Sequence, residues 1–200
     1  MRPFVLIHAI RHRQGFTTLE LVVALAIVGV LYASFYMSAK WARDRALHAL
    51  FMADIRQVKI AATRFETDIG FFPPDVWRNV DPGLIAKNGW AQGGHSAKWE
   101  TPDLSDWRGP YLENWPVWKR NPWGGTYDWD NYEPGYEYMG IPGGAVYLTL
   151  KPSEWGGRMG LPKPDFEARL QEMGIDKSPW PHVVSVQMGV YRNTDLTGGH

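Results

Sequence analysis

Residues 16–39 form an apolar stretch that contains a single Asp, Glu, Lys or Arg residue, Glu20. A helix rises about 1.5 Å per residue, so this stretch would span roughly 36 Å, more than the ~30 Å hydrocarbon core of a bilayer. The rest of the sequence has no comparable apolar run. We therefore expect residues 16–39 to form one transmembrane helix.

The helical pattern continues over residues 40–70. No proline interrupts it, and apolar side chains recur at spacings of three, four and seven; they are Leu47, Phe51, Val58, Ala62, Phe65 and Ile69. Gly70, followed by Pro73 and Pro74, is a typical stop signal. We expect this half of the helix to be amphipathic and to bury its apolar stripe against a folded domain.

The sequence of residues 71–200 indicates one domain of mixed secondary structure. Turn signals and aromatic residues fill 71–122, which we expect to be an irregular connection. Alternating and β-branched runs predict strands over residues 126–130, 136–139, 145–150 and 184–190. A short helix is expected to open near Asp165, with an apolar side formed by Phe166, Leu170 and Met173. The fold class is therefore α+β, with a long N-terminal helix on a small antiparallel sheet.

Residues 1–15 contain three arginines and no acidic residue. Residues 40–45 contain three further basic residues, so the positive-inside rule alone does not fix the orientation of the helix. The basic start and the small residues Met37-Ser38-Ala39 also fit an ordinary secretory signal over residues 1–39. Both interpretations stay open on this pattern.

The segment Arg13-Gln14-Gly15-Phe16-Thr17-Thr18-Leu19-Glu20-Leu21 resembles the leader junction of type IV prepilins and type II secretion prepseudopilins. The resemblance implies that a prepilin peptidase cleaves after Gly15 and N-methylates the new N-terminus at Phe16. It also implies that Glu20 neutralises the N-terminus of the neighbouring subunit in a helical filament.

The same resemblance implies where the parts of the chain lie. Residues 1–15 would be a cytoplasmic leader peptide, residues 16–39 an inner-membrane anchor, and residues 71–200 a periplasmic domain with the pilin fold. The implied partners are copies of the same subunit, other pseudopilins, the prepilin peptidase, an inner-membrane assembly platform and, indirectly, a secretion ATPase.

Glu20 is costly in the apolar stretch, since an acid at the bilayer centre costs about 2.5 to 3.5 kcal/mol and less near the edge. In an isolated membrane helix, such a side chain would snorkel to the interface. Cleavage after Gly15 would instead create an α-ammonium group on Phe16, close to Glu20 along the helix. We therefore favour a carboxylate–ammonium pair between subunits.

Three blocks of the predicted domain resemble major pseudopilins of type II secretion systems. Residues 67–74 (TDIGFFPP) are similar to the exit from the long helix, and residues 107–112 (WRGPYL) and 121–127 (NPWGGTY) to two turn-and-strand blocks. Asn121 and Thr126 depart from the acid and the proline expected there. The blocks favour a pseudopilin over the alternative, a major or minor type IV pilus pilin.

Major pseudopilins generally bind calcium in an acidic, glycine-rich loop near the C-terminus, so the resemblance makes calcium a candidate ligand. Residues 145–200 contain no clear counterpart. Oxygen ligands lie close together at Asp128, Asp130, Asn131 and Glu133, but their spacing matches no calcium loop that we can name. We interpret these residues as a solvated strand face. No metal or other cofactor is predicted, and calcium is kept as the alternative.

Other classes of function fit the sequence less well. The formal net charge is zero, so the overall charge of the chain does not favour binding to nucleic acid. The chain has no cysteine, no Gly-x-Ser-x-Gly motif and no phosphate-binding glycine loop, so no enzyme activity is predicted. A carbohydrate-binding domain is the remaining alternative, with a stacking platform drawn from Trp90, Trp99, Trp107, Trp115, Trp118, Trp123 and Trp129.

Overall fold

The computed structural model describes residues 15–78, 80–89, 104–114, 121–132, 134–138, 140–153, 157–180 and 183–190. The chain divides into two compact units, Met1–Arg45 and Ala46–His200. The boundary falls within helix α1 (Thr18–Ile69), which is continuous over 52 residues. The first unit consists, in its described part, of the start of this helix and the three residues before it.

In the second unit, α1 buries the predicted apolar stripe. Four of its members are fully buried, namely Phe51, Val58, Ala62 and Phe65, and the other two are partly buried. The helix ends at Ile69 because Gly70 adopts a φ of +93°, a conformation that side chains disfavour. The predicted stripe and the predicted stop are both confirmed.

Three long strands of the second unit form its main sheet: β1 (Thr126–Tyr132), β4 (Ala145–Lys151) and β5 (Val184–Val190). They are antiparallel, in the order β1-β4-β5. Two short strands, β2 (Glu137–Tyr138) and β3 (Ile141–Pro142), follow β1 and precede β4 in the sequence. They pair only with each other, as a separate two-stranded sheet. The α+β class is thus confirmed. The predicted strand 136–139 does not join the main sheet, because a turn at Gly140, with a φ of +71°, folds it onto β3.

The hydrophobic core lies between one face of the main sheet and α1. Large side chains from the strands and the helix belong to one buried cluster, which includes Tyr127, Trp129, Leu148, Leu150, Val184, Phe51, Val58 and Phe65. Trp129 is fully buried, and its Nε1–H donates to the Pro73 carbonyl oxygen over 2.9 Å. The helix stripe and the inward face of the strands therefore stabilise one another.

The opposite face of the main sheet carries buried polar side chains, so the prediction of a solvated strand face was wrong. Asp128 and Asp130 are each 4% exposed. Lys151 of β4 contacts Asp128 Oδ2, and its Nζ lies 3.6 Å from Asp130 Oδ1. Strand periodicity places the two acids on one face, but it does not reveal what covers that face. Glu133 lies outside the described residues.

The segment before β1 covers the outer edge of that strand. The Val76 N–H donates to the Trp129 carbonyl oxygen (3.3 Å), and the Asn131 N–H donates to Asp75 Oδ2 (3.4 Å). Asn131, also predicted to be solvated, is buried and donates through Nδ2 to the Pro73 carbonyl oxygen (2.8 Å). These bonds supply partners for backbone groups of an outermost strand.

The outer edge of β5 is covered in a similar way. The Lys177 N–H donates to the Ser185 carbonyl oxygen (2.8 Å), and the Ser185 N–H donates to Asp176 Oδ1 (2.9 Å). Ser185 is fully buried, although the alternation in its sequence predicts an exposed position. Its hydroxyl lies 3.1 Å from the Thr149 hydroxyl, which explains how a polar side chain is tolerated there.

The second helix, α2 (Pro164–Glu172), confirms the short helix predicted near Asp165. Leu170 is buried and Phe166 is partly buried, as the pattern predicts. Met173 is 69% exposed, because the helix has already ended and Gly174 turns the chain with a φ of +67°.

Candidate functional site

The predicted cleavage point lies in exposed backbone ahead of α1. Gly15, Phe16 and Thr17 are non-helical, and the Phe16 side chain is 90% exposed. A Cβ added at Gly15 would meet no atom within 4 Å. The bond between Gly15 and Phe16 is therefore presented as unwound chain, the form in which peptidases cut. Residues 1–14 of the predicted leader lie outside the described residues.

Thr17 and Glu20 form a capping box that starts the helix. The Thr17 N–H and hydroxyl both donate to Glu20 Oε2, over 2.8 and 2.9 Å, and the Glu20 N–H donates to Thr17 Oγ1 over 3.2 Å. The box satisfies N–H groups that have no partner inside the helix. Our sequence analysis missed it, although Thr-x-x-Glu before an apolar run is its signature. Glu20 thus has a role within its own chain.

The start of α1 is long and apolar enough to span a membrane, and it alone meets this test among the described residues. Every described residue from 15 to 43 is exposed. The hydroxyls of Ser34 and Ser38 donate to the carbonyl oxygens of Val30 and Ser34, over 2.9 and 3.0 Å, which satisfies them inside the helix. By length and composition, the helix fits a single-pass anchor.

Two acids of α1 hold the helix to the domain within the second unit. The Tyr127 hydroxyl of β1 donates to Asp54 Oδ2 (2.9 Å), and the Tyr111 hydroxyl donates to Asp68 Oδ2 (2.8 Å). Burial, together with the adjacent acid, raises the pKa of Tyr127 and of Tyr111, so both remain donors. Asp54 is buried. The helix is therefore fixed by directional bonds as well as by its apolar stripe.

The block 121–127 turns around Asn121, one of the two departures from the pseudopilin pattern. Asn121 Oδ1 accepts the N–H groups of Trp123 (2.9 Å) and Gly125 (3.1 Å), while its Nδ2–H donates to the Gly160 carbonyl oxygen (2.8 Å). A carboxylate could make the first two bonds but could not donate the third. The departure is thus explained by the close approach of Gly125 to Gly160, where an added Cβ would lie 2.4 Å from the carbonyl oxygen.

The block 107–112 packs against the loop that precedes it. Trp107 Nε1–H donates to the Gly83 carbonyl oxygen (3.0 Å), and the backbone N–H groups of Tyr111 and Leu112 donate to the Leu84 carbonyl oxygen. Leu84 is fully buried. These bonds therefore hold the block and the preceding loop together.

The predicted stacking platform is only partly within the described residues. Trp129 is buried, and Trp107 and Trp123 are half-buried with edge contacts to Tyr111 and Phe51. These three indoles therefore do not form an exposed surface for a sugar. The other four, Trp90, Trp99, Trp115 and Trp118, lie outside the described residues.

A group of charged side chains, which sequence reasoning did not find, lies beside β1 and β4, with three members buried and two half-buried. Its members are Asp75, Arg78, Asp128, Asp130 and Lys151. Burial and the nearby Asp130 raise the pKa of Asp75 to about 8 and the pKa of Asp128 to about 6. Near pH 7 the protonation of Asp75 therefore removes one negative charge from this group. The only signal in the sequence was the i, i+2 spacing of Asp128 and Asp130, since nothing local shows that β4 brings Lys151 to them.

Two acids of this charged group face a lysine. Among the described parts of the chain, no group of three His, Cys, Asp or Glu side chains could hold a metal ion. The oxygens of Asp128 and Asp130 that were considered as ligands contact the Lys151 ammonium group instead.

No protein-family model matches the chain, and comparison with curated proteins and with solved structures finds no match.

Proposed function

We propose that this chain is a pseudopilin that polymerises into the periplasmic filament of a type II secretion system, after leader cleavage and N-methylation. The observation that carries the proposal is the junction itself. Exposed, unwound backbone at Gly15 and Phe16 leads directly into a capped helix whose first part is apolar and exposed. In the same helix, the second part packs on a small antiparallel sheet, as the pilin fold requires.

Cleavage after Gly15 prepares the chain for assembly. Hydrolysis of the peptide bond frees the α-amino group of Phe16, which is a cation near neutral pH and is then methylated. The capping box begins the helix only two residues later, so the new N-terminus stays next to Glu20. The apolar helix remains with the mature chain as a single-pass inner-membrane anchor, and residues 71–200 lie in the periplasm.

Glu20 then joins neighbouring subunits in the filament. Both bonds that the Glu20 carboxylate accepts in the capping box use Oε2, so Oε1 is the oxygen that accepts from the Phe16 ammonium group of the next subunit. Solvent is excluded where apolar helices pack together, which makes a charge-assisted bond between subunits strong. Assembly requires the prepilin peptidase, other pseudopilins, the inner-membrane platform and, indirectly, the secretion ATPase.

The first test is the N-terminus of the mature protein. Peptide mass spectrometry of the protein purified from membranes should give an N-terminal peptide that starts at Phe16 and is about 14 Da heavier than its unmodified sequence, for one methyl group. A chain that starts at Lys40 would show that residues 1–39 are an ordinary secretory signal and would refute the proposal.

Gly15→Leu should abolish this cleavage and leave the full-length precursor in the membrane. A Cβ added at Gly15 would meet no atom within 4 Å, so we attribute any loss of processing to recognition by the peptidase rather than to misfolding. Gly29→Ala is the matched control, because a Cβ at Gly29 is equally unhindered and lies away from the junction. Processing of Gly15→Leu at the rate of the Gly29→Ala protein would contradict the assignment.

Deletion of the gene distinguishes a role in protein secretion from a role in pilus formation. A strain that lacks it should retain its exported enzymes inside the outer membrane and keep its surface pili. Loss of pili with normal export would favour a type IV pilus pilin.

A further inference from the structure

We propose that Lys151 and Asp128 condense to form an isopeptide bond that links β4 to β1, with Asp130 as the acid–base group. The proposal does not depend on the function proposed above. In the register of the sheet, Thr126 pairs with Lys151 and Asp128 pairs with Thr149. Lys151 and Asp128 are therefore diagonal neighbours on one face, within reach of a lysine side chain.

The two reacting groups are already in contact and shielded from water. Lys151 Nζ contacts Asp128 Oδ2, and their side chains are only 8% and 5% exposed. Asp130 lies beside them, with Oδ1 3.6 Å from the same Nζ. Reacting groups held in this way reach effective concentrations of about 10⁵ to 10⁸ M. Such proximity can drive an amide condensation that dilute amines and acids in water do not undergo.

Burial also favours the neutral forms of the pair, which are the reactive ones. Removing water from an ammonium and a carboxylate penalises both charges, so passing the proton from Lys151 to a neighbouring acid costs less here than at the surface. Burial and Asp130 raise the pKa of Asp128 to about 6, against the lowering effect of Lys151 and Arg78. Transfer of one proton from Lys151 to Asp128 then gives a neutral amine facing a carboxylic acid, which is the pair that reacts.

The reaction needs no other reagent. The nitrogen lone pair of Lys151 attacks Asp128 Cγ to give a tetrahedral intermediate, and Asp130 removes a proton from the nitrogen. Asp130 returns that proton to one oxygen of Asp128, whose bond to Cγ breaks, and the oxygen leaves as water. In sum, one ammonium and one carboxylate give one amide and one water.

Asp130 is positioned for this role by its neighbours. Its Oδ2 accepts the hydroxyl of Thr149, which in turn lies 3.1 Å from the hydroxyl of Ser185. The side chain of Tyr132 also hydrogen-bonds Asp130, and Asp130 Oδ1 lies 3.6 Å from the lysine Nζ. Asp130 is 4% exposed, so solvent does not compete for the proton.

The experiment is peptide mass spectrometry of the full-length protein purified from membranes. Between Arg120 and Arg158, the only Lys or Arg is Lys151, and Pro152 follows it. Since trypsin does not cut before proline, both partners stay in one peptide, residues 121–158. We expect this peptide to be about 18 Da lighter than its sequence, the mass of one water.

Chymotrypsin separates the isopeptide bond from any other loss of water. It cuts after aromatic residues such as Tyr136, which lies between the two partners. If the bond is present, the fragments carrying Asp128 and Lys151 remain joined after this digestion. If the peptide has its full mass, or if the fragments separate, the proposal is overturned and the pair is an ion pair only.

Variants then test the assignment of roles. Lys151→Arg keeps the positive charge but should restore the 18 Da, whereas Lys87→Arg, at an exposed lysine, should leave the linked peptide unchanged. Asp130→Asn keeps the shape of the acid and should reduce the linked fraction at least tenfold. A fully linked Asp130→Asn protein would overturn the acid–base role of Asp130.

Discussion

Glu20 is the residue whose removal should separate folding from assembly. We predict that Glu20→Leu is inserted, cleaved and folded like the wild type but does not assemble. In the monomer, Thr17 Oγ1 can still accept the N–H of residue 20, so the helix start is retained. In the filament, the Phe16 ammonium group of the next subunit loses its partner, and breaking a buried pair costs about 3 to 5 kcal/mol.

This prediction is measured in one set of cells. Immunoblots report leader processing, and shearing followed by quantification reports filaments or exported protein. Gly29→Ala again serves as the control, since it changes the same helix without touching a charge. Normal filaments from processed Glu20→Leu subunits would show that Glu20 only caps its own helix.

Single residues also show where sequence reasoning reaches its limit. Gly70 could be predicted to end the helix, because its signal is local. Asp128 and Asp130 could not be placed correctly, because their environment depends on Lys151, more than twenty residues later. The burial of a strand face depends on what packs over it, and periodicity contains no such information.

At the scale of the elements, the stability of the second unit depends on the apolar stripe of α1. Phe65→Ala should lower the free energy of unfolding by about 3 to 5 kcal/mol, because the side chain is fully buried and packs edge-on against Phe71 and Tyr111. Ile60→Ala, on the exposed face of the same helix, should change it by less than about 0.5 kcal/mol.

Urea unfolding of the detergent-solubilised protein, followed by tryptophan fluorescence, measures both variants. Buried Trp129 reports on the core directly. Equal midpoints for Phe65→Ala and Ile60→Ala would mean that the stripe does not stabilise this unit.

The elements that are long, or that have clear local start and stop signals, were predicted most accurately. The long helix and the strands β1, β4 and β5 were found within about two residues at each end. The strand predicted over 136–139 is present as β2 but is shorter and lies outside the main sheet, because Gly135 and Gly140, both with positive φ, place it in a separate hairpin. The partner of a two-residue strand is decided by such turns rather than by hydrophobic pattern.

At the scale of the whole molecule, Asp75 should make stability fall as the pH rises. Burial and Asp130 raise its pKa to about 8 from an ordinary value of 3.8, so the folded chain keeps a proton that the unfolded chain releases. The stabilisation is complete below about pH 4, is lost progressively as the pH rises to about 8, and does not change further above that.

Asp75→Asn tests this dependence because it removes the titrating group and keeps the shape of the side chain. Urea midpoints measured between about pH 5 and 8 should fall for the wild type and be flatter for the variant. Identical slopes would assign the dependence to other groups. The prediction also stands if Lys151 and Asp128 are joined, because Asp75 would keep its burial and its neighbour Asp130.

The covered edges of the main sheet have a consequence for the handling of the chain in the cell. Pro73–Val76 shields β1, and Asp176–Lys177 shields β5, so the backbone groups at Trp129, Asn131 and Ser185 already have partners. In the function proposed above, subunits lie in the membrane at high local density before assembly, where unpaired strand edges would pair with one another and aggregate. Subunits with occupied edges would remain separate there until each is added to the filament.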